Sequence, residues 1–279
     1  MQIIKNISIE GSRNKPILVD IFFQDSGLPK PIIIFSHGFK GFKDWGHFNL
    51  MAQYFAEQGF VFVKFNFSHN GTTKDNPSEF GDLKTFGENN YIIELEDLGL
   101  VINHVLKNEK ILKEINPLQI YLIGHSRGGA ISILKAAEDK RVSKLVTWAS
   151  VSDLISRNSE KTINEWKTKG VVYTFNARTK QNMPLTYQFY ETIQKNKSRL
   201  DVLKLSAELK IPYLIIHGTN DEAVSDKDAL ALHKACRHSD LILINEAGHT
   251  FETRHPFNEL NFPHNTKTLL EKTGAFLQE

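Results

Sequence analysis

Ile120-Tyr121-Leu122-Ile123-Gly124-His125-Ser126-Arg127-Gly128-Gly129 joins a short apolar run to a glycine-flanked serine and then to a helical pattern. Strand, sharp turn and helix in that order put the serine where neighbouring side chains larger than hydrogen would clash, so Gly124 and Gly128 suit the turn. Such a turn lifts the Ser126 hydroxyl clear of the sheet, at a helix N-terminus whose partial positive charge favours a developing anion. The helix over 127–139 turns Ala130, Ile133, Leu134 and Ala137 inward.

The same rhythm extends in both directions. Two β-like segments near 3–9 and 17–23, separated by Gly11-Ser12-Arg13-Asn14, read as an antiparallel hairpin. Further strands are expected at 32–35, 60–67, 145–148, 213–216 and 241–244, most of them short apolar runs without alternation, as when helices cover both faces of a parallel sheet. Phe48, Met51, Ala52 and Phe55 share one helical face that ends near Gly59. Tyr91, Leu95, Leu98, Ile102 and Val105 share another. Ser225 with Asp228 reads as a capping-box start, and Asn265 as the cap of a last helix carrying Leu269, Leu270 and Phe276. Strands alternating with helices imply an α/β fold with a mostly parallel sheet wrapped on both sides. Residues 153–208 break the rhythm: aromatic, without a clear strand, and read as a helical cap inserted into a core of 1–152 and 209–279.

Composition narrows the function classes. Hydrophobic residues make up 41% of 279, and 34 Lys+Arg against 32 Asp+Glu leave +2, which excludes wholesale disorder and gives no general drive toward nucleic acid. The single cysteine excludes an intramolecular disulfide framework and a multi-cysteine metal site. MQIIKNISIEGSR lacks the apolar stretch of roughly 7–15 residues of a secretory signal, and no window nears about 18 consecutive apolar residues. A cytoplasmic protein that does not enter membranes is expected.

A serine hydroxyl needs a base beside it to attack at neutral pH, and that base needs a group to fix its tautomer. His217-Gly218-Thr219-Asn220-Asp221 follows the strand at 213–216, and Asn245-Glu246-Ala247-Gly248-His249 follows the strand at 241–244. In a parallel sheet both loops converge on the edge that bears Ser126. His249 is therefore read as the base and Asp221 as the acid, with Glu222, Glu246 and above all Asp153 as rivals for the acid. In Ser36-His37-Gly38-Phe39-Lys40-Gly41 the glycines permit a tight turn with inward amides, so the backbone N–H groups of Phe39 and Arg127 are expected to form an oxyanion hole. His37 is read as a brace for that loop, and His69 as a loop residue away from the chemistry. A cation in the first helical turn opposes the macrodipole, so Arg127 should pair with a carboxylate, with Glu246, Glu222 and Glu88 as candidates. No H-E-x-x-H occurs and no histidines cluster as zinc ligands, so no metal is expected.

The HGF loop at 37–39, GHSRGG at 124–129, HGTNDEAV at 217–224 and AGHTF at 247–251 fall in register with an α/β-hydrolase, which the chain resembles over essentially its whole length. Within that superfamily it is similar to the dienelactone-hydrolase and prolyl-oligopeptidase-like group, including bacterial feruloyl and cinnamoyl esterases and serine-aminopeptidase-like hydrolases. The resemblance implies a serine hydrolase with the Ser126, Asp221 and His249 triad. Feruloyl esterases often carry Gln where Arg127 stands, a departure that bears on substrate.

The expected reaction is two-step ester hydrolysis on a small-molecule substrate, without a cofactor. Trp166, Tyr173 and Tyr187 in the insertion are the expected substrate contacts. Residues 153–208 hold ten Lys/Arg against six Asp/Glu, a positive rim that would favour an acidic substrate. A peptidase of the same fold and a non-catalytic ligand receptor on the same scaffold are the alternatives, whereas a dehalogenase would need a carboxylate nucleophile in place of Ser126.

Overall fold

Eight strands form one sheet in the computed structural model, which describes residues 1–279. They are β1 (Gln2–Glu10), β2 (Pro16–Phe23), β3 (Lys30–Ser36), β4 (Val61–Asn66), β5 (Ile115–His125), β6 (Val142–Trp148), β9 (Tyr213–Gly218) and β10 (Ser239–Ile244). A separate two-stranded sheet pairs β7 (Val171–Asn176) with β8 (Gln181–Thr186). The main order is β1-β2-β4-β3-β5-β6-β9-β10. Strand β2 is antiparallel to β1 and β4, and every pair from β4 to β10 is parallel. The loops after β3, β5, β6, β9 and β10 therefore leave one edge of the sheet.

Nine helices complete the chain: α1 (Phe48–Glu57), α2 (Leu83–Gly87), α3 (Tyr91–Lys107), α4 (Arg127–Glu138), α5 (Glu160–Lys169), α6 (Gln188–Lys195), α7 (Val202–Ala207), α8 (Asp226–Ala235) and α9 (His264–Gln278). The pleat divides the core between the two faces of the sheet. Ile32, Ile34, Val61, Val63, Ile120 and Leu122 point toward α3, α4 and α8. Ile33, Phe35, Phe62, Tyr121 and Ile123 point toward α1 and α9. Each buried Ile or Phe contributes about 1.5–3 kcal/mol, which is why the strands are apolar on both sides.

The structure corrects four local expectations. Residues 153–208 contain the β7–β8 hairpin, with Val171 opposite Thr186, where no strand is expected. Pro184 is tolerated in β8 because neither strand has a second neighbour. Within the same segment α7 packs on α4 and α8, not on the hairpin. Ser225 caps α8 through the Lys227 amide, while the Asp228 carboxylate turns to the Ser152 amide and hydroxyl at 2.7 Å. At α9 it is Glu252 that acts as the acceptor, taking the Asn265 amide at 2.9 Å, and Asn265 lies inside the first turn.

Three histidines are sealed in this frame: His37, His47 and His69 are 3%, 4% and 1% exposed. Burial, first of all, lowers their pKa values to about 4, about 3 and about 4. Unfolded, the same rings titrate near their ordinary ~6.5. Below that pH these three rings bind up to about three more protons in the unfolded chain, so through them acid should weaken the fold by up to about 4 kcal/mol per pH unit. This contribution is complete above about pH 7 and is lost between roughly pH 6.5 and 4. The urea midpoint at pH 5.0 is expected well below that at pH 7.5; equal midpoints would contradict the sealed, neutral rings.

Candidate active site

Ser126 stands between β5 and α4 with φ 56° and ψ −123°, a region that costs a non-glycine residue of order 1–3 kcal/mol. The strain is held by close packing. A Cβ on Gly124 would lie 2.3 Å from the Gly128 carbonyl oxygen, and one on Gly128 2.3 Å from that of Ser36. The Ser126 amide is anchored to the Trp148 carbonyl at 2.8 Å. The side chain opens into two clefts that also share His249.

Asp221 leaves the end of β9 and is completely buried. Its Oδ1 accepts the Ala223 and Val224 amides, both at 2.8 Å. Its Oδ2 accepts from His249 Nδ1 at 2.7 Å and lies 3.2 Å from His217 Nε2. Burial opposes ionisation, but the bonds from His217, His249 and Val224 outweigh it and hold the carboxyl well below the usual carboxylate range. An ionised carboxylate only accepts, so His249 donates to it from Nδ1 and keeps a lone pair on Nε2.

The loop at 37–41 is braced from within. His37 Nδ1 donates to the Gly38 carbonyl at 2.9 Å, and its Nε2 accepts the Phe67 amide at 3.4 Å. Gly38 abuts the turn at Ser126, where an added Cβ would come 3.0 Å from Ser126 Cβ. Beyond the loop, Lys43 and Lys64 bond buried Asp20 at 2.7 and 2.9 Å, and both also bond Asp44. Burial raises the Asp44 pKa, but the ammonium groups of Lys64 and Lys43 outweigh it and bring it to about 2. The loop is thereby tied to β2 and β4. His69 bonds Ser68 and lines neither cleft.

Arg127 has a carboxylate partner, but none of those expected: its Nη1 lies 3.3 Å from Glu94 Oε1 on α3. Glu246, Glu222 and Glu88 make no ion pair with it. The guanidinium also lies 3.9 Å from the Phe39 ring centroid and 5.6 Å from that of Phe189 on α6. Helix α4, the glycine loop and the insertion thus meet on one cation. Burial raises the Glu94 pKa against the opposing pull of Arg127.

The aromatic contacts expected in the insertion lie elsewhere. Trp166 is buried against Phe189 and donates to the Leu185 carbonyl at 2.7 Å. Tyr173 is 63% exposed, and Tyr187 stacks on Tyr190. None of the three lines either cleft. Trp45, Phe48 and His125 line the smaller cleft, of about 130 Å³. Two histidines that the sequence reading did not single out stand at the site. His125 Nε2 donates to the His249 carbonyl at 2.9 Å, tying the loop of His249 to the turn at Ser126. His217 shares Nε2 between Asp221 and the Val224 carbonyl; burial disfavours its charge, but the Asp221 carboxylate outweighs this and raises its pKa.

Comparison with known proteins bears on the family and the fold. The sequence profile of the prolyl oligopeptidase family matches residues 46–262. Mouse (Mus musculus) monoglyceride lipase is 24% identical over 253 residues, 80% of this chain and 75% of the lipase. Among solved structures, the α/β hydrolase GrgF from Penicillium sp. sh18 superposes with a TM-score of 0.76 at 16% identity, covering 100% of this chain and 98% of that one. Ferulic acid-bound Est1E from Butyrivibrio proteoclasticus gives 0.73 at 17% identity, covering 98% of each.

Proposed function

The chain belongs to the prolyl oligopeptidase family and has the α/β-hydrolase fold, and from that premise we propose that it cleaves carboxylic esters through Ser126, His249 and Asp221. One observation carries the reading: a buried carboxylate holds the His249 imidazole at 2.7 Å, on the wall of the same clefts that the strained Ser126 lines. In the unliganded protein the serine–imidazole bond is not yet made, and such bonds tighten with substrate.

His249 Nε2 takes the Ser126 proton as Oγ attacks the ester carbonyl, and Asp221 stabilises the imidazolium. The Phe39 amide donates to no protein acceptor, and the Arg127 amide lies in the first turn of α4, where no intrahelical partner is available. Both are suited to hold the tetrahedral oxyanion. His249 then returns the proton to the leaving alcohol, and water repeats the cycle to release the acid and restore Ser126. Residues 153–208 act as a cap through Phe189 on Arg127 and the Phe175 carbonyl on Lys40.

An ester is favoured over a peptide because the clefts offer no carboxylate side chain to hold a peptide amine. Short p-nitrophenyl esters assayed beside aminoacyl p-nitroanilides test the choice. Ester turnover with anilide rates at least about 100-fold lower is expected; the reverse order would make the protein a peptidase.

A further inference from the structure

Two clefts meet at Ser126 and His249, with Lys40 in the wall of both and two arginines in the wall of only one. The smaller, about 130 Å³, is walled by Trp45, Phe48 and the neutral His125 ring, whose pKa burial lowers to about 3, and Lys40 at the shared side is its one cation. The larger, about 330 Å³, carries Lys40, Arg127 and Arg157 among Tyr91, Leu154 and Val224, and no carboxylate forms part of its wall. From this pairing we propose that the substrate is an ester with a short apolar group on one side and a carboxylate on the other, the carboxylate lying between Lys40, Arg127 and Arg157. The proposal rests on the ester-hydrolase reading above.

The acidic groups nearest these cations are already engaged. Glu94 is buried behind Arg127, bonded to its guanidinium and to Asn89 Nδ2 at 2.8 Å. Asp153 turns back on its own loop, accepting the Ile155 amide at 2.7 Å and the Ser156 amide at 3.1 Å. Asp221 faces the two imidazoles. Arg157 makes no ion pair, and the Lys40 ammonium donates only to the neutral Phe175 carbonyl at 3.0 Å. Glu94 occupies one edge of the Arg127 guanidinium, which has five N–H donors in all. Its side chain is only 12% exposed, so its charge is weakly screened. These cations differ from the excess on residues 153–208 seen in the sequence: two of the three, Lys40 and Arg127, lie outside that segment.

The test uses two matched pairs with the full chain. p-Nitrophenyl hydrogen glutarate against p-nitrophenyl valerate puts the carboxylate on the acyl side; 4-carboxyphenyl butyrate against phenyl butyrate puts it on the alcohol side. In one pair the anionic ester is expected to show kcat/KM at least about tenfold higher. That ratio should shrink in 0.5 M salt and fall severalfold in Arg157→Gln and in Lys40→Gln. Equal or lower rates for the anionic ester in both pairs overturn the proposal and leave ester hydrolysis standing. A preference that survives both substitutions overturns it as well. Turnover of none of the four esters also overturns it, and labelling by a fluorophosphonate then decides whether the hydrolase reading falls with it.

Discussion

Ser126→Ala is expected to reduce kcat for ester hydrolysis by about 10⁶-fold, the scale seen when a nucleophilic serine is removed from an intact site. The clefts keep their walls, because the lost hydroxyl makes no hydrogen bond within the protein, so KM should change little. The turn also survives: its backbone is held by the Trp148 carbonyl and by the contacts of Gly124 and Gly128, none of which involves the Ser126 side chain. Unfolding in urea should shift by no more than about 0.5 kcal/mol. A variant that retained a tenth of the activity while folding normally would exclude Ser126 as the nucleophile.

Asp221→Asn should cost about 10⁴-fold in kcat, for a reason specific to this pocket. The Ala223 and Val224 amides both point at Oδ1, so an asparagine must place its oxygen there. Its NH2 group then faces His249 Nδ1 and His217 Nε2, the two atoms that donate to Oδ2 in the native protein. To accept from that group, His249 must move its proton to Nε2, where it can no longer deprotonate serine. Asp153→Asn serves as the control. Its carboxylate is tied to the Ile155 and Ser156 amides, and kcat should stay within about threefold, the scale of an ordinary loop change. A large loss in Asp153→Asn with activity kept in Asp221→Asn would reverse the assignment of the acid. Because Asp221 is held far below the usual carboxylate range, the acid limb of a pH–rate profile should not report this carboxylate.

The parts of the site that were legible in the sequence are those set by local chemistry at strand ends. Ser126, Asp221 and His249 each follow a short apolar strand, and parallel strands bring such loops to one edge whatever lies between them. The contacts that lie across the fold were not legible. Glu94 sits 33 residues before Arg127 and reads as an ordinary polar position on an amphipathic helix; only the packing of α3 on α4 buries it beside the guanidinium. The double use of Asp221 was hidden for a different reason. His217 is four residues away, at the last turn of a strand, and only the bend of the 218–224 loop brings its ring to the carboxylate. The β7–β8 hairpin lacked a sequence pattern because its aromatics point outward, Tyr173 and Phe175 being 63% and 55% exposed, while the burial falls on Met183 in a small cluster with Phe42, Phe80 and Phe86. Of the insertion aromatics expected at the substrate, Trp166 buries against Phe189, and Tyr173 and Tyr187 line neither cleft.

Treating the protein with a fluorophosphonate and mapping the adduct by peptide mass spectrometry tests the central claim most directly. A single phosphonyl group on Ser126, formed in the native protein and absent when His249 is replaced by alanine, is the predicted result. An adduct on another residue, or no adduct on folded protein that hydrolyses esters, would contradict the account.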